Sequence, residues 1–186
     1  MAIGGSLLEK RGQNLYNTFN LHIPDNSHPI KYEKIHLIPQ LDETKWLTPG
    51  KELTIHKNET LCAGLMICYD IRFPELLRKY VIDKKINLLL VVAQWPQVRI
   101  DHWIALLRAR AIENQVFIAA VNAVGDSGEI KLGGNSCIVD PWGRFLITGN
   151  DEAEVLLTAE LDLSVVDEIR SSFPVLNGRR EDIYYI

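Results

Sequence analysis

Cys68 is the residue of this chain best suited to covalent chemistry. It closes the apolar run Leu61-Cys62-Ala63-Gly64-Leu65-Met66-Ile67. The turn Tyr69-Asp70-Ile71-Arg72-Phe73 and the helix-opening Pro74-Glu75 follow at once. A thiol at the carboxyl end of a buried strand lies where open α/β sheets present their chemistry. The strand gives the sulfur a rigid base, and the following segment can offer it backbone N–H groups. A free thiol is only a few per cent thiolate near neutrality, so a reactive one needs a cation nearby and a base for its proton. The opposing reading is a small hydrophobe ending a core strand, since buried, unreactive cysteine is common. Position alone leaves both readings open.

Other residues with chemical capacity are few. Trp95, Pro96 and Arg99 follow the end of a second apolar run, which places them at the lining of the same pocket. His102 lies by a helix start and His36 after a strand. Either of them as base to Cys68 would make a thiol protease, but the local signals of such proteases are missing. His102 reads better as structural, and Cys62 and Cys137 as strand-core residues. No His, Cys and carboxylate cluster has metal-ligand spacing, and there is no phosphate loop. Cys68 to Arg72 is too short a span for a phosphatase loop.

The elements that must position Cys68 follow from hydrophobic patterning. Asn14 to Ile23 alternates polar and apolar residues as a half-buried strand does, and Pro24-Asp25-Asn26-Ser27 is a turn cluster. Lys31 to His36 returns as hairpin partner, residues 37–50 form a loop, and Leu53 to His56 is a short strand. Pro74 opens a helix over 74–82. Asn87 to Ala93 and Val116 to Val121 are continuous apolar strands, the pattern of a parallel sheet covered on both faces. Between them Asp101 caps a helix carrying Trp103, Leu106, Leu107 and Ala111 on one face. Two strand–helix–strand passages make a layered α/β domain. After Asn122, Ser136–Val139, Arg144–Thr148 and Val155–Leu161 read as meandering antiparallel strands, and Ser164-Val165-Val166-Asp167 as a capping box opening a last helix. The tail from Phe173 keeps Val175, Leu176, Tyr184 and Tyr185, and would dock on a partner or on the body. Ile3-Gly4-Gly5-Ser6 resembles the end of a strand that begins earlier.

At 186 residues the chain is one domain, 1–186, large enough for its own core. With net charge −4 and scattered Lys and Arg, it offers no basic face to nucleic acid or to an anionic membrane. No apolar run reaches the ~20 residues of a membrane span, and Met1-Ala2-Ile3-Gly4-Gly5 lacks the regions of a signal peptide. Three cysteines without scaffold spacing suit a reducing cytoplasm.

Four blocks in order resemble the nitrilase, or carbon–nitrogen hydrolase, superfamily. They are Tyr32-Glu33-Lys34-Ile35-His36-Leu37, Ile67 to Glu75, and His102-Trp103 with Arg108-Ala109-Arg110-Ala111-Ile112-Glu113-Asn114. The fourth is Gly134 to Gly143, with Asn135 where His is frequent. Gln94-Trp95-Pro96 looks most like the ω-amidase-like branch. The resemblance implies a four-layer α-β-β-α sandwich and a Glu–Lys–Cys triad that cleaves amide or nitrile C–N bonds through a thioester or thioimidate. It makes Cys68 the nucleophile and Lys34 the triad lysine, with Lys34 and the Tyr69 N–H as donors to the oxyanion. Glu43 matches a second, loop-borne Glu that holds substrate and Lys34. Arg99, by its position after the strand end, reads either as a bidentate partner for the carboxylate of an ω-amide or as a surface arginine. Arg72 and Glu75 would make buried ion pairs fixing the nucleophile turn.

By the same resemblance the substrate is a small linear amide giving acid and ammonia. There is no cofactor and no metal, and the chain pairs as a homodimer through the helices after the nucleophile and the tail. One departure stands out. The family's general base, the triad Glu, lies in a segment before residue 1 of this sequence, together with the sandwich's first strand–helix–strand. Glu9 comes too late to be that base. Loss of such a base lowers activity by ~10² to 10⁴, so the alternative is an inactive truncated paralogue with a structural or interaction role.

Overall fold

The computed structural model describes residues 3–24 and 26–184. Asp25 of the expected turn and Tyr185 of the tail lie outside them. Strand β1 (Ile3–Arg11) and strand β2 (Asn14–His22) pair antiparallel in register from Ile3↔His22 to Arg11↔Asn14. The residues Ile3 to Ser6 therefore run on as one strand to Arg11 instead of ending there. A two-residue loop joins the pair, and its Gly12 has φ +61°, the positive value a tight hairpin turn needs at its first position. Strand β3 (Ile30–Glu33) adds to β2, which completes a three-stranded sheet.

The expected loop at 37–50 carries a 3-10 turn at Pro39–Leu41 and a one-turn helix, α1 (Glu43–Trp46). Six more strands form the second sheet. They are β4 (Ile55–Lys57), β5 (Cys62–Ile67), β6 (Leu88–Ala93), β7 (Phe117–Asn122), β10 (Cys137–Val139) and β11 (Phe145–Thr148), in the order β11-β10-β7-β6-β5-β4. The apolar runs become the parallel centre, β5-β6-β7, and the short outer strands pair antiparallel. A hairpin of β8 (Val124–Ser127) and β9 (Ile130–Gly133), which the patterning does not suggest, turns at Gly128.

Helices α2 (Pro74–Lys84) and α3 (Ile100–Asn114) cover one face of this sheet. Cys62 and Met66 of β5, Leu89 and Val91 of β6 and Ile118 of β7 point at Leu77, Tyr80, Trp103 and Leu107 in the main core. The alternate residues Leu65 and Ile67 pack on Phe19, Leu21 and Tyr32 of the other sheet. Period-2 alternation thus gives each face its own partner. Helix α4 (Ser164–Ser172) sets Val166 against Ala63, Leu88 and Phe117 on the inter-sheet side. The described residues supply three of the four expected layers. The outer face of the three-stranded sheet carries the ion pairs Arg11–Glu33 and Lys31–Glu9, with the Arg11 guanidinium 4.1 Å above the Tyr16 ring.

Three local expectations are corrected. Val155–Leu161 forms no strand, for it has no ladder partner, and Leu156 is 92% exposed. Asp101 lies inside the first turn of α3 and does not cap it; its charge complements the helix dipole there. Ser164 likewise is inside α4, and Asp162 does the capping through the Ser164 N–H (3.0 Å) and hydroxyl (2.6 Å). The tail docks through Leu176, which packs on the core, and through the Phe173 carbonyl, which accepts from Gln115 Nε2. Phe173, Val175 and Tyr184 remain exposed. No helix among the described residues is long and apolar enough to cross a membrane.

Candidate active site

Strand β5 ends at Ile67, and Cys68 opens a 3-10 turn (Cys68–Arg72) that leads into α2 at Pro74. The backbone at Cys68 has φ +46°, a left-handed conformation that a side-chain-bearing residue rarely adopts. Cys68 is half-buried there, packed against both the helix-side core and the inter-sheet cluster. Burial pushes its thiol pKa up. The Lys34 ammonium and the Gln94 backbone amide pull it down, while the charges of Glu43 and Asp70 add to the rise.

Lys34 follows β3 directly, tied by its N–H to the Asn17 carbonyl (2.9 Å) and by its carbonyl to the Gly50 N–H (2.9 Å). A Cβ at Gly50 would stand 2.2 Å from the Glu33 carbonyl oxygen, so only glycine allows that approach. The Lys34 side chain is 2% exposed, and its ammonium donates to both oxygens of Glu43, at 2.8 and 2.7 Å. Glu43 Oε2 also accepts the Ile38 N–H at 2.7 Å. A buried lysine with a chelating carboxylate is a fixed positive charge aimed beside the thiol. Cys68, Lys34 and Glu43 are thus brought together, and Glu43, its side chain mostly buried, braces the ammonium.

Tyr69 places its backbone N–H directly after the thiol, while its ring meets Phe73 edge-on at 5.3 Å. Trp95 is buried, fixed by the Asn122 side chain, which accepts the Trp95 N–H at 2.6 Å and donates to its carbonyl at 3.2 Å. Its indole N–H donates to the Arg99 carbonyl at 2.8 Å. Arg99 itself is exposed, at the rim.

Arg72 and Glu75 do not make the expected buried ion pairs. Glu75 points to solvent from the first turn of α2, and the Arg72 guanidinium lies over the Trp95 ring at 4.4 Å, near His102. Burial and the neighbouring Arg99 charge both lower the Arg72 pKa, so two guanidinium groups share this side of the site. Neither histidine serves the thiol. His36 hydrogen-bonds Asp70 and stacks on Phe73 at 3.6 Å, and His102 is exposed beside Arg72.

Two other residues fix the nucleophile turn. Asp70 is fully buried and accepts from Ile67 N, Tyr32 Oη, His36 N and His36 Nδ1. Arg110, buried in α3, donates to the carbonyls of Ile71 (3.0 Å) and Arg72 (3.1 Å), with Glu113 as its counter-ion. Neither Asp70 nor Arg110 carries a local signal for this role beyond its place in the second and third blocks. Among the described residues no group of His, Cys and carboxylates is arranged to hold a metal ion.

The profile of the carbon-nitrogen hydrolase family matches residues 1–171. A 2-oxoglutaramate amidase of Bacillus subtilis is 41% identical over 184 residues, which are 98% of this chain and 70% of that protein. A carbon–nitrogen hydrolase superfamily protein from Xanthomonas campestris, with an arsenic adduct in its active site, superposes with a TM-score of 0.89. It is 31% identical, over 96% of this chain and 69% of that one. An amidase from Nesterenkonia, bearing the acetamide moiety of fluoroacetamide on its active-site cysteine, superposes with a TM-score of 0.84. It is 25% identical, over 98% of this chain and 66% of that one.

Proposed function

The chain belongs to the carbon–nitrogen hydrolase family, and on that premise we propose that it hydrolyses a small linear amide of the ω-amide type. Cys68 is the nucleophile in this reading. The observation that carries it is the half-buried thiol at a left-handed turn beside the buried Lys34–Glu43 pair. Attack of Cys68 Sγ on the amide carbon moves the carbonyl electrons onto oxygen. Lys34 Nζ and the Tyr69 N–H are the donors to that oxyanion, and one preorganised donor is typically worth about 3 kcal/mol. Collapse expels the amine, which takes up the proton released by the thiol and leaves as ammonia, so a thioester remains. Water then cleaves the thioester to the acid. The paired charges of Arg72 and Arg99 on the Trp95 side support a substrate carrying a carboxylate at its far end.

Both carboxylates whose charge acts on the thiol have their oxygens engaged, Glu43 with Lys34 and Ile38, Asp70 with its four donors. Neither is free to shuttle the proton. That observation favours a second reading, a non-catalytic paralogue that keeps the scaffold. The test is ammonia release from 2-oxoglutaramate, with mass spectrometry for an acyl adduct on Cys68. The enzyme reading expects both signals and their disappearance in Cys68→Ala. Release that persists in Cys68→Ala refutes the nucleophile, and no adduct on the native thiol supports the non-catalytic reading. We further read the chain as a homodimer. Exposed Ile112, Trp142 and Leu146, together with Phe173 and Val175, supply apolar surface for it. Sedimentation at 21.1 kDa instead of twice that mass would refute the dimer.

A further inference from the structure

We propose that Asp70 is a positioning residue: through Tyr32 and His36 it clamps the lysine-bearing segment to the nucleophile turn and so sets the separation of Lys34 from Cys68. The inference rests on the reading of those two residues given above. Tyr32 and His36 stand two residues before and two after Lys34. Ile67 stands just before Cys68 and Asp70 just after its neighbour. One fully buried carboxylate joins both brackets. Its Oδ2 accepts from Tyr32 Oη at 2.7 Å and from Ile67 N at 3.1 Å. Its Oδ1 accepts from His36 N at 2.9 Å and lies 3.0 Å from His36 Nδ1.

Apolar packing also joins these segments: Tyr32 clusters with Leu65 and Ile67, and Ile35 and Cys68 each pack against that cluster. Apolar packing is non-directional and tolerates small slides, whereas four hydrogen bonds converging on one buried carboxylate fix both distance and angle. Lys34 makes its own side-chain contacts to Glu43 on the loop, not to the nucleophile turn. Asp70 is therefore the polar tie that holds the ammonium at its place by the thiol. Stacking of the His36 ring on Phe73, at 3.6 Å and 8°, keeps that ring in the clamp.

The test is the pH profile of Cys68 alkylation by iodoacetamide, with the modified site located by mass spectrometry. Tyr32→Phe removes one oxygen, and His36→Phe keeps a ring on Phe73 while removing Nδ1. Each loosens the clamp without removing the Asp70 charge. Either variant should raise the inflection of the profile by about half a pH unit or more, as Lys34 recedes. The same substitution made in a Lys34→Met background should leave the inflection where Lys34→Met alone puts it, because the effect passes through Lys34. An inflection that does not move in either single variant overturns the clamp. A shift of equal size in the Lys34→Met background overturns it as well, since Asp70 would then act on the thiol directly. Lys34→Met without any effect sinks the reading of Lys34 itself, a separate failure. Alkylation of Cys62 and Cys137 would mark an unfolded variant, and the other ring substitution then decides. No amide turnover is needed, so an inactive chain answers as well as an active one.

Discussion

Replacing Glu43 by Gln keeps size and shape but removes the counter-ion of a lysine that is 2% exposed. The lost arrangement is two ammonium contacts, at 2.8 and 2.7 Å, around a carboxylate that is itself 12% exposed and also holds the Ile38 N–H. Breaking one side of a buried ion pair typically costs about 3–5 kcal/mol, because the surviving charge stays desolvated. Gln can still accept one hydrogen bond, which places the expected loss near the lower end, about 3 kcal/mol. With a urea m-value of about 2 kcal/mol/M, the unfolding midpoint falls by about 1.5 M. Tryptophan fluorescence reports it well, since Trp95 and Trp103 are both buried with ring centroids 5.4 Å apart. Asp42→Asn is the control. Its ion pair with Lys45 is exposed at 62% and 71%, so its midpoint should correspond to a change within about 0.5 kcal/mol. A Glu43→Gln midpoint indistinguishable from that of Asp42→Asn would refute the reasoning, because Lys34 would then be shedding its charge or reaching water at no cost.

Two further outcomes follow from burial. In the folded chain at pH 8.5, a thiol-specific disulfide reagent should react quickly with one cysteine of the three, and with none in Cys68→Ala. Burial raises the pKa of all three thiols, so access decides: Cys62 and Cys137 are buried in the sheet, whereas Cys68 is only half-buried; a second fast thiol would contradict this. Stability should also fall on the alkaline side. The unfolded chain releases the Cys137 proton from about pH 8.5, while the native chain keeps it to about 12. The contribution is therefore complete below that lower value and is lost as pH rises through the interval, at up to about 1.4 kcal/mol per pH unit. Cys137→Ala, though less stable overall, should show a shallower alkaline decline, and equal slopes would refute the assignment.

Regularities that are local in the chain are legible from its residues alone. The continuous apolar runs ending at Ala93 and at Val121 announce a sheet buried on both faces, and Pro74 announces a helix start. Cys68 is conspicuous because it ends such a run. Partnerships that join distant residues leave no such mark. Arg72 and Glu75, near Cys68 in sequence, are the natural candidates to brace its turn, whereas the brace is Asp70 with donors 34 and 38 residues upstream, and Arg110 from 38 and 39 residues downstream. Charge alone does not reveal which carboxylate is buried. Val155–Leu161 misleads for the same reason. Alternation states that a segment can be a strand, but only a ladder partner makes it one. The hairpin at 124–133 is hidden by its polar residues, although Ser127-Gly128 marks the turn.

The left-handed backbone at Cys68 explains why both braces are charged and buried. A non-glycine residue at φ +46° carries strain of about 1–2 kcal/mol, and such a conformation persists only where its surroundings leave no alternative. Asp70 holds the peptide N–H before Cys68, and Arg110 holds the carbonyls of Ile71 and Arg72 after it. The two charges do not neutralise one another. The carboxylate is satisfied by donors from β3 and its extension, the guanidinium by Glu113 and the turn carbonyls. The turn is consequently tied to one layer through a negative group and to another through a positive one, and it cannot relax without unpairing a buried charge. Position of the sulfur is thus settled in the resting chain. The variable left open is protonation, because burial raises the thiol pKa while Lys34, itself held by Glu43, opposes that rise. In the proposed reaction, substrate has to arrive as the proton leaves, and the oxyanion then competes with Glu43 for the lysine.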